Sequence, residues 1–344
     1  MSFWTYILRR VLLLVPQLFL ISIVTFILVR LLPGDPARLQ LGPLASPQGV
    51  EQLRKELRLN EPLPQQYIAY VQHLFHGDLG RSWVNGTDVL SDIGQRVPAT
   101  LELIMLGVLV IIMVLVPLGA LTAARGGGIF TRALKQLTLV YGLVAGALPD
   151  FWLGLLLIFI FYTALHIAPG PEGRLAIGAT APQTITGFYT VDSLLTGNFA
   201  AFSSAVSHLA LPVFTLAFVY GGAVYKMTRS AMGMALRSDF TTYAEGFGLP
   251  RRTILWWALR VAAPPTIVIA GVTSGYLLGG AVLIETVFNL NGVGQYAVQA
   301  IISADYAPLQ AFVLVAATFT MLVYLLVDLL HFAADPRVRS RSAT

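Results

Sequence analysis

The sequence predicts an all-α integral membrane protein with six transmembrane helices and both termini in the cytoplasm. Three observations carry this. Apolar residue types make up 56% of the 344 residues and charged types only 11%, whereas a soluble chain carries about 25% charged residues to face water. Apolar stretches recur at the length of about 20 residues that a helix needs to cross a hydrocarbon core. Lys and Arg fall unevenly between those stretches, which orients the chain. Mean hydropathy is +0.74. This balance excludes a soluble enzyme, a disordered chain and a disulfide-stapled secreted domain. Cysteine is absent, so thiol chemistry, zinc-thiolate sites and disulfides are excluded as well. The net charge of +5 reads as a topology signal, not a nucleic-acid footprint.

The first span is 11–32, introduced by Arg9-Arg10 and closed by Pro33-Gly34-Asp35-Pro36. It is too long for a signal-peptide core and no small-x-small cleavage site follows it, so it reads as an uncleaved anchor. The second is 99–124. The third, 137–168, exceeds the hydrocarbon thickness, so it must tilt, kink at Pro149 or begin in the cytoplasm. The fourth is 208–225. The fifth, 261–288, is rich in glycine (Gly271, Gly275, Gly279, Gly280), which suits close helix approach. The sixth is 308–330.

Arg9 and Arg10, the 124–136 loop (Arg125, Arg132, Lys135), the 226–260 loop (Lys226, Arg229, Arg237, Arg251, Arg252, Arg260) and the tail (Arg337, Arg339, Arg341) are basic. On the other side are Arg30, six basic residues in the 33–98 loop, which is long, carries seven acidic residues and so weighs little in the rule, and Arg174 alone in the 169–207 loop, while 287–308 has no basic residue. The rule that positive loops stay inside places the basic set in the cytoplasm. The expected organisation is therefore an N-terminal segment with the first helix (1–32), an outer lobe (33–98) and a five-helix core (99–344) with a cytoplasmic loop at 226–260. Within the outer lobe, Val50, Leu53 and Leu57 repeat at helical spacing and predict an amphipathic helix from Ser46 to Leu59. The 226–260 loop is helical by pattern, interrupted by Gly246, Gly248 and Pro250. No tandem repeat of 20–50 residues is visible.

Chemistry-bearing residues are sparse. There is no G-x-S-x-G, no H-E-x-x-H and no P-loop lysine. His73 and His76 lie at i, i+3; a metal site is one reading, two solvated histidines the simpler one. His166, His208 and His331 read as interfacial tips near span ends. Four acids lie in or near spans: Glu102, Asp150, Glu285 and Asp328. Such residues are costly against lipid and usually face a bundle interior or an aqueous path. Asp150 and its neighbour Phe151 are candidates for a translocation pathway; the alternative is that Asp150 lies near the interface, snorkels, or pairs within the protein. Glu285 is a candidate for the same pathway or for a gate-stabilising hydrogen bond. Glu102 reads as interfacial, Asp328 as structural.

These residues also carry a resemblance that runs nearly end to end. Leu28-Val29-Arg30-Leu31-Leu32-Pro33-Gly34-Asp35-Pro36 is like "R-L-x-P-G-D-P"; Gly77-Asp78-Leu79-Gly80-Arg81-Ser82 is like "G-D-L-G-x-S"; Pro98-Ala99-Thr100-Leu101-Glu102-Leu103 is like "P-A-T-L-E-L". Pro149-Asp150-Phe151-Trp152-Leu153-Gly154, His208-Leu209-Ala210-Leu211-Pro212, Glu285-Thr286-Val287-Phe288 with Gly292-Val293-Gly294, and Asp328-Leu329-Leu330 with Asp335-Pro336-Arg337 follow in order. The chain resembles the B-type permease subunit of bacterial dipeptide/oligopeptide/nickel ABC importers. Asp239-Phe240-Thr241-Thr242-Tyr243-Ala244-Glu245-Gly246-Phe247-Gly248-Leu249 looks like the "EAA" loop of such permeases, which presents a short coupling helix to an ATPase.

The resemblance implies an ABC importer permease-type fold and one half of a heterodimeric pore in the bacterial inner membrane. Its partners would be a second homologous permease, two ATP-binding subunits and an extracytoplasmic substrate-binding protein. The chain would take up peptides by alternating access, would not be an enzyme, and would bind no cofactor, ATP being held by partner subunits. In the coupling loop, Asp239, Tyr243, Ala244, Gly246, Phe247, Gly248, Leu249, Arg251 and Arg252 would contact the ATPase: Phe247 and Leu249 as apolar anchors, Ala244, Gly246 and Gly248 for close backbone approach, Arg251 and Arg252 as rim charges. Nickel chelates, glutathione and other peptide-like solutes remain alternative cargoes. A secondary transporter would need polar groups at broken helices, and only Asp150 offers one. A membrane-embedded enzyme would need clustered catalytic groups.

Overall fold

The computed structural model describes residues 3–31, 35–42, 45–56, 58–124 and 129–334. Leu32, Pro33, Gly34, Leu57, Arg125 and the 335–344 tail, on which parts of the sequence reading fall, lie outside them. Among the described residues the chain is helical, with a single isolated bridge pair, Arg81 and Asp88, and no strand.

Helix α1 (Phe3–Arg30) packs along the last helix, α14 (Tyr306–Ala334). Arg10 pairs with Asp328 at 2.8 Å across that seam, so Asp328 is structural. Three short helices then form the lobe: α2 (Pro36–Leu41), α3 (Pro47–Glu56) and α4 (Leu63–Phe75). Asp35 caps α2 by accepting the Ala37 N–H and holds Arg54 of α3 at 2.7 Å. Ser46 Oγ accepts the Gly49 N–H to start α3, and Val50 is its buried contact. Helix α4 lies against α1: Tyr67 Oη meets Ser22 Oγ at 2.8 Å, and Arg30 Nε donates to Gln66 Oε1 at 2.9 Å.

The second predicted span begins earlier than its apolar residues do. Helix α5 (Val89–Val110) starts where Asp88 Oδ2 accepts the Ser91 N–H at 2.9 Å, and it carries Pro98 inside. It runs through a π-helical turn, Ile111–Leu115, into α6 (Val116–Ala123). Pro117 lacks the N–H that would reach back four residues, so the ladder is rearranged at that point.

The third predicted span is not one helix. Helix α7 (Ile129–Val144) stops, and α8 (Asp150–Leu157) starts anew after Pro149, continuing through the π-helical turn Ile158–Ala164. Pro149 sits at φ −62°, ψ 134°, an extended conformation that ends the first helix and leads into the second. Helix α9 (Tyr189–Leu195) follows an irregular stretch.

Helices α10 (Phe199–Ala235) and α12 (Arg251–Phe288) are 37 and 38 residues long. At about 1.5 Å per residue each is roughly 55 Å, longer than the whole bilayer, so both project beyond it. Between them sits α11 (Asp239–Gly246), and α13 (Val293–Ile302) joins α12 to α14. The main core lies where α5, α10 and α12 meet, around Leu103, Leu209, Leu216, Leu277 and Ile284. Glycines of α12 admit large neighbours: Val327 at Gly271, Tyr324 at Gly275 and Tyr220 at Gly280. Among the described residues, five helices are long and apolar enough to cross a membrane: those within α1, α5–α6, α10, α12 and α14. The stretch Asp150–Ala164 is apolar but shorter.

Candidate translocation and coupling sites

The 226–260 segment builds a small platform. Ser238 Oγ and Thr241 Oγ1 both donate to the Ala235 carbonyl, at 2.6 and 2.9 Å, which ties α11 to the end of α10. Thr241 and Ala244 are buried against the chain's own body. Tyr243 and Phe247, one helical turn apart, point outward with 69% and 83% of their surfaces exposed. Asp239, Glu245, Gly246, Gly248, Arg251 and Arg252 are exposed, and Leu249 is half-buried. Ala244 therefore serves internal packing, and the exposed apolar surface of the platform is formed by Tyr243 with Phe247.

Gly248 closes this helix. Its N–H donates to the Glu245 carbonyl at 3.0 Å, and the Leu249 N–H donates to the Ala244 carbonyl at 3.1 Å. This paired closure needs a left-handed residue, and Gly248 has φ +72°. Pro250 then starts α12 from an extended conformation. A cleft of about 610 Å³ opens between α11 and the start of α12, lined by Thr242, Glu245, Leu249 and Arg251 among others.

At the Pro149 break, Asp150 is buried. Its Oδ1 accepts the Phe151 N–H at 2.7 Å and its Oδ2 accepts the Tyr220 hydroxyl at 2.8 Å. Phe151 is 43% exposed. Glu285 lies apart from them, near the end of α12, and is fully buried. Thr100 Oγ1 donates to it, and the N–H groups of Gln295 and Gly294 do so as well. Thr100 Oγ1 in turn accepts the Val293 N–H at 2.9 Å. Gly292 and Gly294 sit so close to the carboxylate that a Cβ at either would collide with it. Glu285 thus clamps α5, α12 and α13 together.

Several functional-looking residues escaped the sequence reading. Glu102 is not interfacial: it is buried, accepts the Thr190 N–H and hydroxyl at 2.7 Å each, and pairs with Arg174 at 3.4 Å. The Arg174 guanidinium also lies 3.7 Å over the Tyr189 ring. The reason is that the 169–198 segment folds over α5 and covers the carboxylate. The lone basic residue of that segment was the available signal.

Asp192 organises the same cover. It takes N–H bonds from Ile185, Thr186 and Gly187 and the Thr186 hydroxyl. Burial alone would raise its pKa, but those bonds favour the anion and hold it below the usual carboxylate range.

Asp305, between α13 and α14, accepts the Ser82 hydroxyl at 2.6 Å and the N–H groups of Trp83 and Val84 at 3.2 and 3.3 Å. It fixes the lobe to the bundle. Of the histidines, His73 Nδ1 meets Asp78 at 2.9 Å and His76 Nδ1 meets the Gln72 carbonyl at 2.7 Å. His208 is buried inside α10 and not at an interface, because the helix begins nine residues before it. Among the described residues no three His, Asp or Glu side chains converge.

Residues 115–340 match the family described as binding-protein-dependent transport system inner membrane component. Residues 3–104 match the N-terminal family of such membrane components. The chain is 41% identical over 339 residues, 98% of each chain, to the probable D,D-dipeptide transport system permease protein DdpB of Escherichia coli (strain K12). It is 37% identical over 338 residues, 97% of this chain and 98% of the relative, to the di/tripeptide transport system permease protein DppB of Pseudomonas aeruginosa (strain UCBPP-PA14). It is 35% identical over 339 residues, 97% of this chain and 99% of the relative, to the dipeptide transport system permease protein DppB of Alkalihalophilus pseudofirmus.

Proposed function

We infer function from one premise: the chain belongs to the family of binding-protein-dependent transport system inner membrane components. It is a multi-pass membrane protein and a transport permease. The observation that carries the reading further is similarity to peptide permeases over nearly the whole of both chains. We propose that the cargo is a di- or oligopeptide and that uptake is driven by ATP hydrolysed on separate subunits.

The proposed topology has six crossings, the third made jointly by α7 and α8. Both termini and 226–260 face the cytoplasm, and 33–98 and 169–207 face outside, because the short basic loops fall on the first side. The membrane is the bacterial inner membrane. A second homologous permease completes the pore, two ATP-binding subunits dock from the cytoplasm, and an extracytoplasmic binding protein delivers cargo. This chain holds no cofactor.

In this mechanism α11 is the coupling helix. ATP binding draws the two ATPase subunits together, and Tyr243 and Phe247, seated on one of them, carry α11 along. Because α11 is bonded to α10 through Ala235 and closes into α12 through Gly248, the motion passes to the two longest helices. Asp150 with Tyr220, and Glu285 with Thr100, join helices that must move relative to one another, so they are the proposed points of rearrangement along the pathway.

The test is uptake of a labelled dipeptide into vesicles holding the assembled transporter and its binding protein. Uptake should require ATP and persist when an ionophore collapses ion gradients. Uptake that persists without ATP and stops with the ionophore would overturn the reading in favour of a secondary transporter.

A further inference from the structure

At the end of the bundle that carries α11, a recess of about 390 Å³ opens between α7 and α10. Its polar wall is cationic: Lys226, Arg229 and Arg237, with Ser230 beside them. No carboxylate lines it among the described residues, and none of the three cations forms an ion pair there. Arg229 reaches only the Tyr225 hydroxyl, at 3.5 Å, and Arg237 Nε donates to the Gly233 carbonyl at 3.1 Å. The stem of Lys226 lies along α7 at Gly142.

The opposite wall is apolar. Leu139 and Leu143, one turn apart on α7, line the recess and are 50% and 69% exposed. The exposed Val140, one turn before Leu143, borders this face. The recess therefore has three cations without a carboxylate at one side and a bare hydrocarbon face at the other. A water-borne anion would use only the first. An amphiphile with a negatively charged head uses both. Basic pockets between helices at a membrane surface are the usual seats of anionic headgroups, and arginine pairs with phosphate oxygens through its planar fork.

We propose that this recess binds the phosphodiester headgroup of an anionic phospholipid, with an acyl chain laid along Leu139 and Leu143. Lys226 and Arg229 hold the phosphate, and Arg237 closes the rim. The inference does not depend on the cargo.

The experiment uses the complex as purified from membranes with its co-purifying subunits. It is stripped of loose lipid and offered phosphatidylglycerol, phosphatidylcholine or inorganic phosphate in detergent micelles. Bound lipid per complex is counted by native mass spectrometry, and the unfolding midpoint is followed in parallel. Phosphatidylglycerol should be retained over phosphatidylcholine by roughly thirtyfold. Lys226→Gln with Arg229→Gln should abolish that preference, and Arg260→Gln, which removes a charge elsewhere on the same side, should keep it. If the double variant does not assemble, Arg237→Gln at the exposed rim should still reduce retention. Equal retention by wild type and variants would overturn the proposal. So would protection by inorganic phosphate equal to that by phosphatidylglycerol, which would make the recess a site for a soluble phosphate group.

Discussion

The Tyr220 hydroxyl donates to Asp150 Oδ2 at 2.8 Å, and the ring that carries it packs where Gly280 leaves no side chain. One tyrosine of α10 thereby joins the start of α8 to the C-terminal third of α12. Tyr220→Phe would leave a buried carboxylate with one fewer donor, at a cost of about 1–3 kcal/mol. A double-mutant cycle with Asp150→Asn, read by thermal unfolding of the purified complex, should show the two changes to be non-additive. Strict additivity would mean that the bond contributes nothing to stability.

The Glu102–Arg174 pair carries the second expectation. With Glu102 buried and three of its contacts coming from the 169–198 segment, Arg174→Met leaves a buried charge without its cation. Breaking one side of such a pair costs about 3–5 kcal/mol. The variant should expose the 169–198 cover to added protease while α10 and α12 stay intact. Glu102→Gln with Arg174→Met should recover part of the loss, because no charge is then left unpaired. Protease resistance equal to wild type in Arg174→Met would show that the pair does not hold the cover.

Asp192 gives a pH dependence. Its pKa is lowered in the folded chain, so it adds stability above the unfolded value of about 3.9 and loses it as pH falls through the lower folded value. The cover over α5 should loosen at acid pH, and Asp192→Asn should remove that acid limb while lowering stability at neutral pH. The measurement is the protease sensitivity of 169–198 from neutral to acid. An unchanged acid limb in Asp192→Asn would assign it to another group.

These relationships mark where the sequence was readable. The spans were legible because lipid demands apolar residues over a fixed length, and glycines at 271, 275 and 280 announced close packing that Val327, Tyr324 and Tyr220 supply. The N-terminal extension of α5 was less so, since Asp88 caps a turn that is still polar. The split of the third span turned on Pro149, which a periodicity reading treats as a kink or a stop without distinction. The long-range polar contacts were not legible at all. Ser82 and Asp305 lie 223 positions apart and Thr100 and Glu285 lie 185 apart, and a single chain gives no sign of such pairings before folding brings them together. The closure of α11 was the reverse case, because it is local and glycine at 248 is the residue that closure requires.

That closure supports the last prediction. An added Cβ at Gly248 would meet no atom within 4 Å, so steric collision within the chain is not the issue. The issue is the left-handed backbone at φ +72°, which costs an ordinary residue about 1–2 kcal/mol. Gly248→Leu should therefore leave the spans inserted but strain or reopen the link between α11 and α12 and so misdirect Phe247. Phe247→Ala keeps the link and removes only the exposed ring, and a central apolar contact of this kind is worth about 2 kcal/mol at an interface. Both variants should lose ATPase subunits in pull-downs and lose uptake, while only Gly248→Leu should also lower the unfolding midpoint of the permease itself. Arg252→Ala, an exposed rim charge, should change each readout by about 1 kcal/mol or less. If Phe247→Ala binds the ATPase normally and transports at the wild-type rate, α11 is not the coupling helix, and the 124–136 segment becomes the place to look for it.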